Sequence, residues 1–171
     1  MRDKLLNLLA KVLAYPPIRD RIIEKAMKTP YNHIGDYMER YWLVQEDSYL
    51  AKLLGVSIRL HIIKQPDQDR ALHTHPFTFR TFILKGGYIE LRDRLAVVSI
   101  NSWSAGYERR EGTTYRLDKD TPHAIISLRY NEPAVSLFVY GQRKGDWYFD
   151  TDEGLIPHAT YLNEQEKHNE Q

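Results

Sequence analysis

The residues in this 171-residue sequence that are best suited to chemistry are two histidines two positions apart, in His73-Thr74-His75. Side chains two residues apart on a β-strand project from the same face, so both imidazoles could reach one point. Such a pair offers a metal ion two nitrogen ligands at about 2.0–2.1 Å. The pair by itself is a weak signal, because H-x-H sequences also arise by chance.

The elements that must position these histidines are predicted to be short β-strands. From Tyr37 onward, runs rich in β-branched and aromatic residues are separated by clusters of Gly, Pro, Asp or Asn. About eight short strands without intervening helices indicate a sandwich or a closed barrel rather than a parallel sheet. The predicted strands cover residues 41–44, 57–63, 78–84, 88–91, 95–100, 113–117, 124–128 and 135–140.

Two helices are predicted ahead of the strands. Apolar residues from Leu5 to Leu13 recur at helical spacing and predict a helix over residues 3–14, and Pro16-Pro17 separates it from a second helix over residues 18–28. We expect the first helix to pack over a sheet or a dimer partner, with a membrane-surface role as the alternative. The predicted organisation is therefore a helical segment (1–30), a barrel (31–162) and a frayed polar tail (163–171).

Composition excludes several function classes. The chain has no cysteine, which excludes a disulfide framework, a thiolate zinc site and a cysteine nucleophile. Its 24 basic and 23 acidic side chains give a net charge of +1, so no nucleic-acid partner is expected. We expect no signal peptide, because Lys11 interrupts the N-terminal apolar stretch, and no segment approaches the roughly 18 apolar residues of a membrane span. We expect a cytoplasmic protein with no membrane partner.

A third histidine extends the H-x-H pair into a recognisable pattern. His75 is followed by a β-rich run and the Gly86-Gly87 turn, and after Gly112 come a strand, a tight turn and Pro122-His123. This layout resembles the two motifs of the cupin superfamily. The resemblance implies an all-β fold, a cupin-type double-stranded β-helix (jelly-roll) barrel with one or two N-terminal α-helices. It also implies that His123 joins His73 and His75 as a metal ligand.

The resemblance can be narrowed. Residues 59–63, 69–76 and 83–88 look like those of a group of bacterial and phage cupins, and the likeness covers roughly residues 30–162. Those cupins usually read His-Asp-His-Pro-Trp where this chain has His-Thr-His-Pro-Phe.

One departure from the cupin pattern bears on the metal site. Many cupins have an acidic fourth ligand five residues after the second histidine, where this chain has Arg80, and a guanidinium cannot ligate. The resemblance then implies a three-histidine site like that of the cysteine-dioxygenase-like cupins, with open positions for water, substrate or dioxygen. We expect one divalent ion, Fe(II) first, with Zn, Ni or Mn as alternatives. Arg80 could bind a substrate carboxylate or phosphate, or could pair with a buried carboxylate as a structural prop.

The alternation of side chains along the predicted strands suggests further candidate site residues. Arg59 and His61 share a face, so Arg59 could orient a substrate and His61 could be a fourth ligand or a hydrogen-bond donor to one. Four more residues could supply a hydroxyl or an acid near the ligands, with ordinary packing as the alternative for each tyrosine: Tyr88, Glu90, Tyr115 and Tyr140. The catalytic roles are predicted for Arg80, Arg59, Tyr88 and Tyr140.

Three functions are compatible with these residues. The first is a non-haem Fe(II) dioxygenase acting on a small anionic substrate. The second is a metal-dependent isomerase or hydrolase on the same barrel. The third is a non-catalytic ligand-binding or metal-stabilised structural protein, because a fold does not fix a function. The family's habit of dimerising adds a homodimer to the expectations.

Overall fold

The computed structural model describes residues 1–67, 71–92 and 106–169. These residues form twelve β-strands and four α-helices, joined by turns and loops. The helices are α1 (Arg2–Ala14), α2 (Pro16–Ala26), α3 (Tyr49–Leu54) and α4 (His158–Asn169). The strands are β1 (Pro30–Ile34), β2 (Met38–Val44), β3 (Ser57–Ile63), β4 (Leu72–His73), β5 (Phe79–Lys85), β6 (Gly87–Leu91), β7 (Tyr107–Arg110), β8 (Thr114–Leu117), β9 (Ala124–Leu128), β10 (Ala134–Tyr140), β11 (Tyr148–Thr151) and β12 (Gly154–Pro157).

The strands form two layers. One layer is an antiparallel sheet in the order β1-β2-β3-β10-β5-β8. The other consists of two three-stranded sheets, β12-β11-β4 and β7-β6-β9, which an antiparallel bridge between His73 and His123 joins. A buried apolar cluster contains Ile63 and Ile83 of the first layer together with Tyr88 and Ile125 of the second. The predicted all-β, jelly-roll architecture is confirmed.

The six-stranded sheet is buried on both faces. Its inner face carries Phe79 and Phe138, and its outer face carries Phe82 and Leu84, which pack in one cluster with Ala10 and other residues of α1 and α2. Because neighbouring residues on a strand point to opposite faces, the buried segment Phe82-Ile83-Leu84 of β5 is apolar throughout instead of alternating. The two predicted N-terminal helices are therefore present and cover the sheet.

Some elements carry too little local signal to be predicted. The strand β4 has two residues, β7 is the largely exposed run Tyr-Glu-Arg-Arg, and the strands β1, β11 and β12 were also missed. The short helix α3 begins where the Ser48 hydroxyl accepts from the backbone N–H of Ala51, and it ends at Gly55 with φ 68°. The polar tail that we expected to fray continues α4 to Asn169. The predicted strand at residues 95–100 lies outside the described residues.

Among the residues described, no helix combines the length and the apolar character that crossing a membrane requires.

Candidate metal centre

The three candidate ligands lie where the two three-stranded sheets meet. His73 ends β4 and His123 directly precedes β9, and their backbones exchange N–H···O bonds of 2.9 and 3.0 Å. The backbone N–H of His75 donates to the carbonyl of Lys119 at 3.2 Å, in the turn that leads to His123. Two distant chain segments are therefore held together by backbone hydrogen bonds at the point where their histidines project.

The side chains of these three histidines converge. One ring nitrogen from each of His73, His75 and His123 lies within 4.8 Å of the other two. The Nε2 atoms of His75 and His123 are 2.9 Å apart, and two nitrogens bound at right angles to an ion at 2.0–2.1 Å would be about 3 Å apart. Among the residues that the structure describes, no carboxylate belongs to this cluster. The arrangement fits one metal ion with three neutral ligands.

Glu90 lies behind His123 and is fully buried on β6. Its Oε1 is 3.4 Å from Nδ1 of His123, while Arg109 Nε donates to its Oε2 at 2.7 Å and Arg92 Nε to its Oε1 at 3.1 Å. Burial acts to raise the pKa of Glu90, but His123 and Arg109 together lower it to about 2. An ionised carboxylate facing Nδ1 favours the tautomer that keeps the proton there, which leaves the Nε2 lone pair directed at His75 and available to a metal.

Aromatic rings surround the cluster. Phe79 lies edge-on to His75 with ring centroids 4.9 Å apart, and Phe77 stacks on the same imidazole at 5.8 Å. Trp147 packs against His73 at 6.0 Å. Burial, followed by the charges of the neighbouring histidines, lowers the pKa of His75 well below its usual range. The imidazole is therefore neutral, which is the state that binds a metal.

Two of the three histidines, His73 and His75, line a cavity of about 680 Å³. Its wall also contains Phe77, Phe138 and several charged residues, among them Arg59. A cavity of this size is typical of a small-molecule site.

Arg59 lies in the cavity wall, as its predicted role requires. Its guanidinium stacks on the rings of Tyr31, Trp42 and Tyr140 at 4.3, 4.5 and 4.7 Å. Its Nη2 donates to Oε1 of Glu46 at 3.0 Å, and the Tyr140 hydroxyl donates to the same oxygen at 2.6 Å. Burial, and then the bond to Glu46, raises the pKa of Tyr140, so Tyr140 stays a phenol and a donor.

His61 also lines the cavity but stands outside the ligand cluster. Its ring stacks on Phe138 at 4.8 Å, and burial, followed by the charges of Arg59 and Arg40, lowers the pKa of His61 to about 3. Within the described part of the chain, its buried Nε2 has no hydrogen-bond partner. The structure thus places His61 in the cavity wall and not in the fourth ligand position.

Arg80, for which a catalytic role is predicted, does not line the cavity. Arg80 shares the outer face of β5 with Phe82 and Leu84, which pack against the helices. Its Nη1 is 3.4 Å from Oγ1 of Thr114, and the charge of Asp3 in α1 acts on it. Phe79, one residue earlier, takes the inward position, so strand alternation turns the guanidinium away from the metal centre.

Two of the predicted tyrosines lie outside the cavity. Tyr88 is buried between the layers, its hydroxyl contacts the hydroxyl of Tyr115, and neither residue lines the cavity. Burial raises the pKa of both. A role for Tyr88 in contact with substrate therefore has no support in the geometry, whereas Tyr140 does line the cavity.

Glu46 is a cavity residue that the sequence did not reveal. It lies in the connection between β2 and α3 and meets Arg59 only through the tertiary fold. No periodicity or motif marks it.

Comparison with known proteins supports the fold. No protein-family model and no curated protein matches the chain. The crystal structure of the DMSP lyase DddQ from Ruegeria pomeroyi DSS-3 superposes with a TM-score of 0.54 at 20% identity, over 82% of this chain and 71% of that one. The chain has a cupin fold. The jelly-roll barrel and the three-histidine cluster agree with this assignment.

Two further cupin-fold similarities are weaker. A cupin 2 conserved barrel domain protein from Rhodopseudomonas palustris has a TM-score of 0.48 at 14% identity, over 81% of this chain and 84% of that one. The crystal structure of Fe(II) HppE has a TM-score of 0.46 at 16% identity, and the match covers 65% of this chain. The chain spans 55% of the HppE chain's length, little more than half.

Proposed function

We propose that this cupin is a metal-dependent enzyme that binds one divalent ion on His73, His75 and His123 and oxidises a small organic anion with dioxygen. The observation that carries the proposal is the convergence of three imidazoles, with no carboxylate among them in the described chain, beside a cavity that His73 and His75 line. Neutral ligands leave the charge of a divalent ion uncompensated, which favours an anionic substrate.

The donor set fits Fe(II), and it also accepts Zn, Ni or Mn. A bound Fe(II) ion would supply a redox-active Lewis acid with coordination positions that the protein does not take.

The chain's own residues supply orientation and a dry environment. Glu90 places a negative charge 3.4 Å from Nδ1 of His123, and the aromatic rings packed against His75 and His73 would limit water around the ligands. Arg59 and Tyr140 present donors to the cavity that suit the negative group of a substrate. Such fixed donors bind and orient a substrate without reorganisation during the reaction.

A second candidate is a metal-dependent reaction without oxygen, such as the predicted isomerase or hydrolase, or a lyase. The structure that superposes with a TM-score of 0.54 is named a DMSP lyase, and for this reason a lyase is included among the candidates. The same residues would bind the metal and the anion.

Oxygen consumption separates the two candidates. Protein purified anaerobically without chelators and loaded with Fe(II) should consume oxygen with at least one member of a panel of small thiols, diketones and organic acids. His123→Ala should abolish the uptake, and Arg80→Met should leave it unchanged because Arg80 faces away from the cavity. Turnover that is equal with and without oxygen would exclude the oxygenase and favour the second candidate. A metal that stabilises the fold without any turnover would favour the structural alternative.

A further inference from the structure

The ion pair between Arg59 and Glu46 joins a buried residue to an exposed one. Arg59 is 8% exposed and Tyr140 is 2% exposed, whereas the Glu46 side chain is 50% exposed and lies in a connection between two elements. The two donors are therefore fixed parts of the barrel wall, and the acceptor is the part that can leave without disturbing the core.

The donors have the arrangement that a carboxylate needs. Arg59 is held by three rings, so its guanidinium has a defined position. Its Nη2 and the Tyr140 hydroxyl converge on one oxygen, Oε1 of Glu46. The buried Nε of Arg59 has no hydrogen-bond partner in the described residues. An unused buried donor beside two used ones means that Glu46 does not exhaust the binding capacity of this group.

The surrounding charge favours an anion once Glu46 moves away. Arg40 lines the same cavity, and its Nε donates to the backbone carbonyl of Asn32 instead of a carboxylate. Burial, followed by the nearby charge of Arg59, lowers the pKa of Arg40. A carboxylate placed between them is stabilised by both.

We propose that Glu46 is a tethered competitor. Its carboxylate occupies the subsite that receives the carboxylate of the substrate, and the substrate displaces it from Arg59 and Tyr140. This inference rests on the proposed function in naming the bound group, and it adds that the substrate is a monocarboxylate with an apolar or aromatic body. The body would pack against the cavity wall, where Phe77, Phe138 and Trp147 lie.

Benzoate is a suitable probe, and metal-free protein is the right starting material. Calorimetric titration should show that Glu46→Gln binds benzoate at least about tenfold more tightly than the unmodified chain. Removing the charge frees the subsite, while glutamine keeps the size of the side chain. The neutral analogue benzamide should show no such gain.

Asp47→Asn provides the matched control. Asp47 neighbours Glu46, lines the same cavity and has φ 63°, a conformation that asparagine tolerates. The substitution removes the same charge from the same connection without touching Arg59. It should raise benzoate affinity by less than about twofold.

The double variant Glu46→Gln/Tyr140→Phe tests the subsite without removing Arg59 from its aromatic surroundings. Loss of the hydroxyl donor should remove most of the gain. The proposal is overturned if Glu46→Gln binds benzoate no more tightly than the unmodified chain, if neither protein binds it, or if Asp47→Asn or benzamide shows the same gain.

The titration separates this proposal from the proposed function. Because it is done without metal, a positive result would stand even if no metal or oxygen chemistry were found. A negative result would leave the histidine cluster and its oxygen assay untouched.

Discussion

Replacement of Glu90 by glutamine tests how the protein prepares His123 for a metal. The glutamine has the same shape but no charge, so it keeps neither the ion pairs with the arginines nor the negative charge beside His123. The carboxylate accepts from Nε of Arg109 and Nε of Arg92, and its Oε1 lies 3.4 Å from Nδ1 of His123. The variant therefore loosens one candidate ligand and leaves two guanidinium groups without their counter-ion.

The substitution should lower both the metal affinity and the free energy of unfolding. Loss of a group that orients a metal-binding histidine typically lowers metal affinity by about 10–100-fold, or about 1.4–2.7 kcal/mol. Breaking a buried ion pair from one side costs about 3–5 kcal/mol of the free energy of unfolding. The Arg92 side chain is 24% exposed and can turn to water, so we expect the lower end, about 3 kcal/mol.

The assay is a competition titration of Zn²⁺ against a chromophoric chelator, together with urea unfolding of the metal-free protein. Glu108→Gln is the control, since Glu108 lies on the adjacent strand β7 and pairs with Arg110 and Arg129 at the surface. Glu108→Gln should change neither the Zn²⁺ affinity nor the free energy of unfolding appreciably. If Glu90→Gln binds Zn²⁺ within twofold of the unmodified chain, the carboxylate does not prepare His123 and the reasoning is refuted.

Three further predictions concern the barrel and its cavity. Gly87→Ala should lower the free energy of unfolding by at least about 3 kcal/mol, because its Cβ would lie 2.1 Å from the carbonyl oxygen of Arg109 at φ +150°. Gly145→Ala, at φ +84° in open space, should cost only about 1–2 kcal/mol in the same urea unfolding.

Between pH 7.5 and pH 5, His61 takes up a proton in the unfolded chain but not in the folded chain, where the pKa of His61 is about 3. The free energy of unfolding should therefore fall by about 2 kcal/mol over that range. In His61→Phe the fall should be smaller by this amount, as urea unfolding at several pH values can show. If His61→Phe and the unmodified chain lose the same free energy, the prediction is contradicted. Arg80→Met should bind Zn²⁺ and benzoate as the unmodified chain does, and a tenfold change in either titration would contradict its outward placement.

The convergence of the three histidines could be predicted because these residues lie in a recognisable pattern. His73 and His75 are two residues apart, and Pro122-His123 follows a turn that completes the second motif. The bridge between His73 and His123 then brings these segments together. Arg59 and His61 were assigned to one face by strand parity, and the structure places both in the cavity wall.

The direction of Arg80 could not be read from its sequence context. Both faces of β5 are apolar, since the helices cover one face and the barrel interior lies on the other. The alternation that normally marks the inner face is therefore missing. The role of Glu46 was invisible for a different reason, because its contact with Arg59 depends on how the connection before α3 folds over the sheet.

The contribution of Glu90 lies between these cases. Glu90 is predicted as a possible acid near the ligands, and its partner Arg92 is only two residues away. Its other partner, Arg109, lies on the neighbouring strand β7 and reaches Glu90 only through strand pairing. Long-range strand pairing of this kind leaves no local trace in the sequence.

We propose that His73, His75 and His123 bind one divalent metal ion. The most direct measurement is elemental analysis, by inductively coupled plasma mass spectrometry, of protein produced with added iron and purified anaerobically without chelators. The unmodified chain and His33→Ala, which changes an exposed histidine outside the cluster, should each contain about one divalent ion per chain, and His123→Ala should contain almost none. Full metal content in His123→Ala, or none in the unmodified chain, would contradict the account.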